Sequence, residues 1–271
     1  MGDNNNLTRV GIRMPINLSN PLWNNLVAGW KFDGNFNDVL NVANGTSING
    51  AGFTTGKVNQ GYNGVKNTTL ASAKYVNFGN SISNRNLQFP LTISSWIKQS
   101  YSTTSGGSMP LFLDGVAAES PGGSSTSTTY KSGIWLLISN LNTLGGSARV
   151  RAGFGNGTAT SGAGVKEWRS DFVIPKDTWM HVVVVFTNTN TVQFYVNGTA
   201  IGTPYFTGTA TNVVWKGNDA IAGYSNNHGV IGPVDATFEG AIDETYVWNR
   251  VITQTEITEL YNLSNGKQYP N

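Results

Sequence analysis

One turn near the start of the chain concentrates side chains with hard oxygen atoms. Asp33, Asn35 and Asp38 lie within residues 33–38, together with Gly34. Calcium takes about six to eight oxygen ligands from carboxylates, amides and carbonyls, and this turn offers several of them. Alternatively, these residues only shape the turn, because Asp and Asn side chains bind their own backbone in turns that contain glycine. The turn alone leaves both hypotheses open.

The sequence lacks the paired carboxylates that cleave a glycosidic bond. A retaining glycosidase places two carboxyl groups on the same cleft, and on one strand this requires acids at every second residue. In the nearest stretch Glu239 and Asp243 share a predicted face, whereas Glu244 is expected on the other. We therefore predict that the protein is not an enzyme, and a glycoside hydrolase is the enzymatic alternative.

The sequence contains more side chains suited to binding sugars than side chains suited to cleaving them. Sugars stack their C–H faces on aromatic rings, while polar groups fix their hydroxyls. Candidates on or next to predicted loops are Trp135, Trp168, Trp215, Tyr224, Asn226, Asn227 and His228. Trp168 is expected to be the most exposed of them, whereas Trp215 has the alternative of lying within a layer of the fold. His181 falls in a predicted central strand and is expected to be structural.

The segment Lys176–Gly202 predicts three consecutive strands. Trp179–Phe186 is a β-branched and aromatic run, and Val192–Val196 alternates between apolar and other residues. Asn197-Gly198 is the pair that favours positive φ in a tight hairpin. Such a meander cannot bury its apolar face alone, so it predicts a sheet packed against a second sheet.

The rest of the chain reads mainly as further strands. They include Leu26–Phe32, Tyr75–Phe78, Leu91–Lys98, Gly133–Ile138, Ala148–Phe154, Asp171–Ile174, Val213–Lys216, Ala220–Tyr224 and Phe238–Trp248. A helix is predicted once, after Thr253 and Glu256, which have the spacing of a capping box. The pattern predicts an all-β, two-sheet antiparallel sandwich with one short C-terminal helix.

Several stretches carry a family resemblance by their order and spacing. They are Leu26–Asp38, Tyr75–Gly79, Leu91–Lys98, Trp179–Phe186, Phe194–Gly198, Phe238–Arg250 and Ile257–Tyr261. Over residues 26–262 the chain resembles the laminin-G-like and concanavalin A-like lectin/glucanase jelly-roll domains. Insertions near 99–132 and 155–170 depart from the usual spacing of that family, and ligand specificity is expected to differ there.

The resemblance implies a jelly roll with a concave face and a binding role more often than an enzymatic one. It also implies that the strand of Asp243 lies beside the first turn, where such domains often hold a structural ion. Asp33, Asn35, Asp38 and Asp243 are therefore the expected ligands of a structural Ca²⁺.

Charge and composition exclude several classes of function. Lysine and arginine number 17 against 15 acidic residues, and charged residues make up 12% of the chain. A nucleic-acid partner would need clustered basic residues, so none is expected. Without cysteine, disulfides and thiolate metal sites are absent. No stretch has the length and apolarity of a membrane span or a secretory signal.

Residues 1–25 mix asparagine with isolated apolar residues and are predicted to form an N-terminal arm that docks or adds an edge strand. Residues 26–271 are the predicted jelly-roll domain.

We predict a structural or adhesion protein on a virion surface, specifically a bacteriophage capsid decoration or cement protein. It is expected to bind a capsid or cell-surface scaffold protein through residues 1–25. The alternative is a secreted, extracellular carbohydrate-binding module with glycans as ligands. Whether the chain forms a homo-oligomer stays open.

Overall fold

The chain folds into antiparallel strands, numbered β1 to β16 in chain order, and one helix, α1. A computed structural model describes residues 20–66, 72–79, 87–100, 108–114, 132–140, 148–157, 164–202, 205–214, 220–223 and 237–269. Within these residues the strands form two eight-stranded sheets. The predicted all-β, two-sheet antiparallel sandwich with one short C-terminal helix is confirmed.

The back sheet contains the predicted meander. Its strands are β1 (Leu26–Trp30), β3 (Gly52–Thr55), β4 (Gln60–Gly64), β6 (Leu91–Gln99), β11 (Met180–Asn188), β12 (Thr191–Val196), β13 (Thr199–Ala200) and β16 (Gly240–Trp248). They follow the order β13-β12-β11-β6-β16-β4-β3, and β1 also pairs with β16. The hairpin at Asn197 and Gly198 is confirmed, because both residues have positive φ, 49° and 78°.

The front sheet packs against it. Its strands are β2 (Thr46–Ile48), β5 (Tyr75–Gly79), β7 (Ser108–Asp114), β8 (Ser132–Asn140), β9 (Ala148–Asn156), β10 (Val165–Val173), β14 (Tyr205–Gly208) and β15 (Ala220–Ala222). They follow the order β14-β10-β9-β8-β7-β15-β5-β2. The segment near 155–170 was predicted as an insertion, but it contains the start of β10, the strand next to the β14 edge of the front sheet.

The main core lies between the two sheets. Val184 and Phe186 of β11 point into it from the back sheet, and Leu136 and Phe154 enter from the front sheet. Each side chain of this kind contributes about 1.5–3 kcal/mol when it is fully buried. The inward face of β12 is buried, as its alternation predicts, and consists of Val192, Phe194 and Val196.

The outer face of the back sheet is covered by both ends of the described chain. Helix α1 (Gln254–Tyr261) begins with the predicted capping box of Thr253 and Glu256. Its Ile257 and Leu260 are buried against the sheet. In the described residues no helix is long or apolar enough to span a bilayer.

Residues 20–25 belong to this covering layer. Leu22 is fully buried, and its carbonyl oxygen accepts a hydrogen bond from Trp248 Nε1 at 2.8 Å. Arg250 Nη2 donates to the carbonyl oxygen of Pro21 at 3.0 Å. The ring of Trp23 meets the edge of the Tyr269 ring, with centroids 5.2 Å apart. The folded unit thus includes the last part of the predicted arm, while residues 1–19 lie outside the described residues.

Candidate ligand-binding face

Trp135 lies flat on the outer face of the front sheet. Gly153 of β9 is its cross-strand partner, and a Cβ atom at Gly153 would stand 2.6 Å from Trp135 Cζ2 and 2.6 Å from the carbonyl oxygen of Lys166. Glycine is therefore required for the indole to cross β9. The indole then reaches β10, where its Nε1 donates to Glu167 Oε2 at 3.2 Å.

Glu167 joins three strands of this face. Its other oxygen, Oε1, accepts from Arg151 Nε at 3.0 Å and forms an ion pair with Nη2 of the same guanidinium. The two side chains are 18% and 10% exposed, so the pair is partly shielded from water. Trp135 and Arg151 donate hydrogen bonds to the two carboxylate oxygens of Glu167, and these bonds hold its side chain in one position.

The edge of the front sheet exposes aromatic rings beside cations. Tyr205 and Phe206 of β14 are each 60% exposed. Tyr205 pairs with Arg169 of β10, and the guanidinium carbon lies 5.1 Å from the tyrosine ring centroid. Phe206 turns to the other face of the strand, where Lys166 Nζ lies 5.9 Å from its ring centroid. Tyr205 and Arg169 share the outer face, and we call these two residues the edge patch.

The edge patch has the chemistry of a sugar site. An exposed ring offers a surface on which the C–H face of a sugar can stack. The guanidinium of Arg169 supplies several N–H donors in a fixed plane. The sequence prediction did not include these residues. Two adjacent aromatics after Gly202 were a usable signal, because neighbouring residues in a strand point to opposite faces and only one ring can enter the core.

Trp168 is buried, and the prediction that it is exposed is wrong. It is 3% exposed and belongs to the core between the sheets. Its ring centroid lies 5.8 Å from that of Phe154 and 6.2 Å from that of Phe186. The reason is register: Trp168 faces inward on β10, while its neighbours Glu167 and Arg169 face outward. A buried indole offers no face for a sugar.

The other predicted ligand-binding residues cannot be placed on this surface. Trp215, Tyr224, Asn226, Asn227 and His228 lie outside the described residues. Their role in binding stays a prediction.

Asp38, a predicted calcium ligand, holds its own loop. Its Oδ1 accepts from the backbone N–H of Gly29 at 2.8 Å and Leu40 at 3.2 Å. Its Oδ2 accepts from Val42 at 3.0 Å and Ala43 at 3.1 Å. Four backbone donors therefore occupy the carboxylate, as in the turn-shaping alternative.

The remaining predicted metal ligands lie apart from Asp38. Asn35 bonds within its own turn, to the carbonyl oxygen of Asp33 and the N–H of Asn37. Asp33 Oδ1 accepts from Gln60 N at 3.1 Å. Asp243 Oδ2 accepts from the N–H groups of Lys57 and Val58 at 2.7 and 2.9 Å.

The predicted four-residue calcium site is therefore not assembled. In the described part of the chain no group of three or more histidine or acidic side chains is arranged to hold a metal ion. As placed, these carboxylates accept protein N–H donors and do not fit a calcium ion.

Asp243 instead shares a buried cluster with Glu244. A bulge in β16, with Glu244 at φ 46°, turns both acids to the outer face of the back sheet. The prediction that Glu244 lies on the opposite face is wrong for this reason. Burial raises the pKa of Asp243 to about 8, and burial together with the charge of Asp243 raises the pKa of Glu244 well above its usual value.

The C-terminal segment closes this acidic cluster. Gln268 Nε2 donates to Glu244 Oε1 at 2.5 Å and to Asp33 Oδ2 at 2.8 Å. The hydroxyl of Tyr246 donates to Glu244 Oε2. A neighbouring groove of about 670 Å³ is lined by α1 and residues 266–268, and its charged side chains, Glu259 and Lys267, pair with each other. The acids thus lie under a cover of protein.

His181 is also buried on the outer face of the back sheet. Its Nε2 lies 2.8 Å from Ser94 Oγ, and its ring packs on Trp96. Burial lowers the pKa of His181 to about 3, so the imidazole is uncharged at neutral pH. This environment is that of a structural residue, as predicted.

Comparison with known proteins places this geometry in context. The Laminin_G_3 family model, described as "Concanavalin A-like lectin/glucanases superfamily", matches residues 70–258. No curated protein matches the chain.

Three solved structures share its fold. Domain 4 of AbnA, a GH43 extracellular arabinanase from Geobacillus stearothermophilus in complex with arabinotriose, is 18% identical with a TM-score of 0.55, over 86% of this chain and 97% of that one. The binding domain of Paraclostridial Mosquitocidal Protein 1 is 15% identical (TM-score 0.56, 89% and 53%). The botulinum neurotoxin serotype G binding domain is 13% identical (TM-score 0.58, 88% and 51%). The chain thus spans about half of each toxin structure.

Proposed function

Because the chain belongs to the concanavalin A-like lectin/glucanases superfamily, we propose that it is a non-catalytic carbohydrate-binding domain whose ligand binds at the edge patch. The observation that carries the proposal is the Tyr205 ring, which is 60% exposed and is held under Arg169 on the outer face of the front sheet. On the adjacent strand β10, Glu167 and Arg169 are polar and point to the same face as this ring.

The edge patch combines the two contacts that a sugar needs. A pyranose or furanose ring stacks on Tyr205, and stacking against an exposed aromatic ring supplies area without ordering a long side chain. Arg169 sits above the same ring and donates to hydroxyl oxygens. Glu167 and Arg151 extend the polar surface across the next strand, so an oligosaccharide could contact more than one sugar unit.

The placement of the carboxylates supports a role without catalysis. Glycoside cleavage requires one carboxyl group that protonates the leaving oxygen and a second that attacks or activates water. Glu167 has both oxygens bound by protein donors. Asp243 and Glu244 lie beneath Gln268 on the opposite sheet.

Glycan-array binding tests the proposal. The array includes neutral arabino-oligosaccharides, because the AbnA domain was solved with arabinotriose. The wild-type chain is expected to bind a defined set of glycans, and Tyr205→Ala is expected to lose that binding at least tenfold while keeping its melting temperature. Val251→Ala is the control, since Val251 is 41% exposed at the start of α1, on the other side of the sandwich. A blank array, or equal binding by both variants, would contradict the proposal.

We also propose that the domain is displayed on a larger assembly, most specifically as a capsid decoration protein on a bacteriophage virion, with residues 1–19 leading to the scaffold. One observation favours display. Leu22, close to the first described residue, is anchored on the outer face of the back sheet, opposite the face that carries Tyr205 and Arg169. A scaffold bound there leaves the ligand face pointing outward.

Deletion of residues 2–19 tests display, because it spares the buried Leu22. The truncated chain is expected to keep its melting temperature and glycan binding, and to be absent from virions purified from cells that express it. The full chain is expected to label the virion surface with an antibody against the folded domain. Equal incorporation of both chains, or label confined to the culture medium, would reject display and favour a secreted module.

A further inference from the structure

Resting on the proposed function, we propose that the edge patch selects sugars that carry an anionic group, a carboxylate or a sulfate ester, over neutral sugars. The argument concerns the balance of charge on the outer face of β9 and β10, next to the exposed Tyr205 ring.

Two arginines stand directly opposite each other on this face. Arg169 of β10 and Arg151 of β9 are cross-strand partners. Side chains at such positions have Cβ atoms roughly 4.5–5.5 Å apart, and like charges placed there are destabilising. Two positive guanidinium groups at this distance repel each other unless a negative group lies nearby.

The available carboxylate neutralises only one of them. Glu167 pairs with Arg151 through Oε1, and its Oε2 accepts from Trp135 Nε1. Asp171, the next acid on β10, forms no ion pair with Arg169, and within the described residues the guanidinium of Arg169 has no carboxylate partner. Arg169 thus keeps an uncompensated charge beside Arg151.

The geometry of Arg169 suits an acidic sugar. The guanidinium lies 5.1 Å from the centroid of the Tyr205 ring, which is exposed. Its planar set of N–H donors matches the two oxygens of a carboxylate or two oxygens of a sulfate. A sugar stacked on the free part of the ring would bring an equatorial acidic substituent to this fork. A neutral sugar leaves the charge unpaired.

Isothermal titration calorimetry tests the inference with matched oligosaccharides. The ligands are oligogalacturonate, a sulfated galactan oligomer and neutral galactan oligomers of equal length. The wild-type chain is expected to bind at least one acidic oligomer about tenfold or more tightly than the neutral one, because hydrogen bonds between charged groups are the stronger ones. This preference is expected to shrink as salt rises, since the site is exposed.

Variants separate a defined site from general attraction. Arg169→Gln is expected to reduce the preference to less than threefold, because it weakens acidic binding much more than neutral binding, and to keep the melting temperature. Lys176→Gln removes the same charge from an exposed turn and is expected to keep the preference. Arg169→Lys is expected to bind the acidic oligomers with intermediate affinity, because lysine keeps the charge and loses the fork.

The outcomes distinguish this inference from the proposed function. Binding of neutral oligomers without acidic preference, or an equal effect of Lys176→Gln and Arg169→Gln, overturns the inference and leaves a carbohydrate-binding domain. Absence of binding to every glycan, here and on the array, overturns both. The relative affinity for oligogalacturonate and the sulfated galactan identifies which acidic group the fork prefers.

Discussion

The two outer faces of this sandwich differ in what covers them. On the back sheet, α1, Leu22 and Gln268 cover the strands and enclose His181, Asp243 and Glu244. On the front sheet, polar side chains on β9 and β10 lead to the exposed rings of β14. A titratable group on the back sheet is therefore held uncharged by burial, whereas on the front sheet the charges pair with each other or face water. This contrast is the reason why we propose the front face as the ligand face.

Trp248→Ala should give the largest effect, on the covered face. Trp248 is fully buried, stacks on Trp23 and donates to the carbonyl of Leu22. Its removal is expected to cost about 3–5 kcal/mol of unfolding free energy, as for other large-to-small core changes. Tyr205→Ala is the comparison and is expected to cost less than about 1 kcal/mol, the size of an exposed cation–π contact. Urea unfolding followed by circular dichroism measures both. Equal losses would remove the contrast between the faces.

Gly153→Ala should disturb the front face from within. The new methyl group would lie 2.6 Å from the indole of Trp135 and from the backbone of β10. We expect a loss of about 1–3 kcal/mol through overpacking, and weaker glycan binding as Trp135 moves away from Glu167. Gly52→Ala is the control, because nothing lies within 4 Å of a Cβ placed there. A neutral effect of Gly153→Ala in both assays would mean that the indole moves freely.

The pH dependence of stability should come from the covered face. The pKa of Asp243 rises from 3.8 to about 8 on folding, and that of Glu244 rises too. A carboxyl group whose pKa is higher in the folded protein than in the unfolded chain makes its full contribution to stability at low pH. This contribution is lost as the pH rises through the pKa that the group has in the folded protein. Between pH 7 and pH 8 the free energy of unfolding should fall by up to about 1.4 kcal/mol for one proton.

Glu244→Gln is expected to reduce that slope but not abolish it, because it removes one of the two titrating carboxyls and leaves Asp243, while glutamine still bonds to Gln268 and Tyr246. Asp177→Asn, whose side chain is 60% exposed, is the control and should leave the slope unchanged. Denaturant unfolding at both pH values measures the effect. An unchanged slope in Glu244→Gln would show that another group releases the proton.

Calcium should have the smallest effect. Because Asp38, Asp33 and Asp243 accept protein N–H donors, millimolar CaCl2 is expected to leave the melting temperature within about 1 °C of its value in EDTA. A ligand bound at a hundred times its dissociation constant would instead stabilise the fold by roughly 3 kcal/mol. Magnesium at the same ionic strength is the control. A calcium-specific rise of several degrees would restore the predicted metal site.

The sequence predicted the family and the fold wherever the order of apolar and polar residues was compatible with only one kind of strand. β11 is apolar from Val182 to Phe186 because both of its faces are buried there, and β12 alternates because one of its faces is more exposed. Only the end of β10 was predicted, within Asp171–Ile174. Its first part was missed because Lys166 points inward with Trp168, so polar residues occur on both faces and the alternation is hidden. Its lysine is accommodated by Asn190 and by the ring of Phe206.

The candidate site was less predictable than the fold. The exposure of Tyr205 depends on β14 being the last strand of its sheet, which strand order along the chain does not reveal. Glu244 was placed on the wrong face because a single bulge reverses the alternation of β16. Gln268 has no motif of its own, and its role follows from where the C-terminal segment crosses the back sheet.

The contact between Trp23 and Tyr269 has an architectural consequence. Entry to the folded unit near Asn20 and exit near Tyr269 lie side by side, and Asn20 is hydrogen-bonded to Glu259 of α1. A host polypeptide could accept this sandwich as an insert within a surface loop, since the two junctions are neighbours. Joining them by a short linker and opening the chain elsewhere would give a circular permutant that carries the same ligand face.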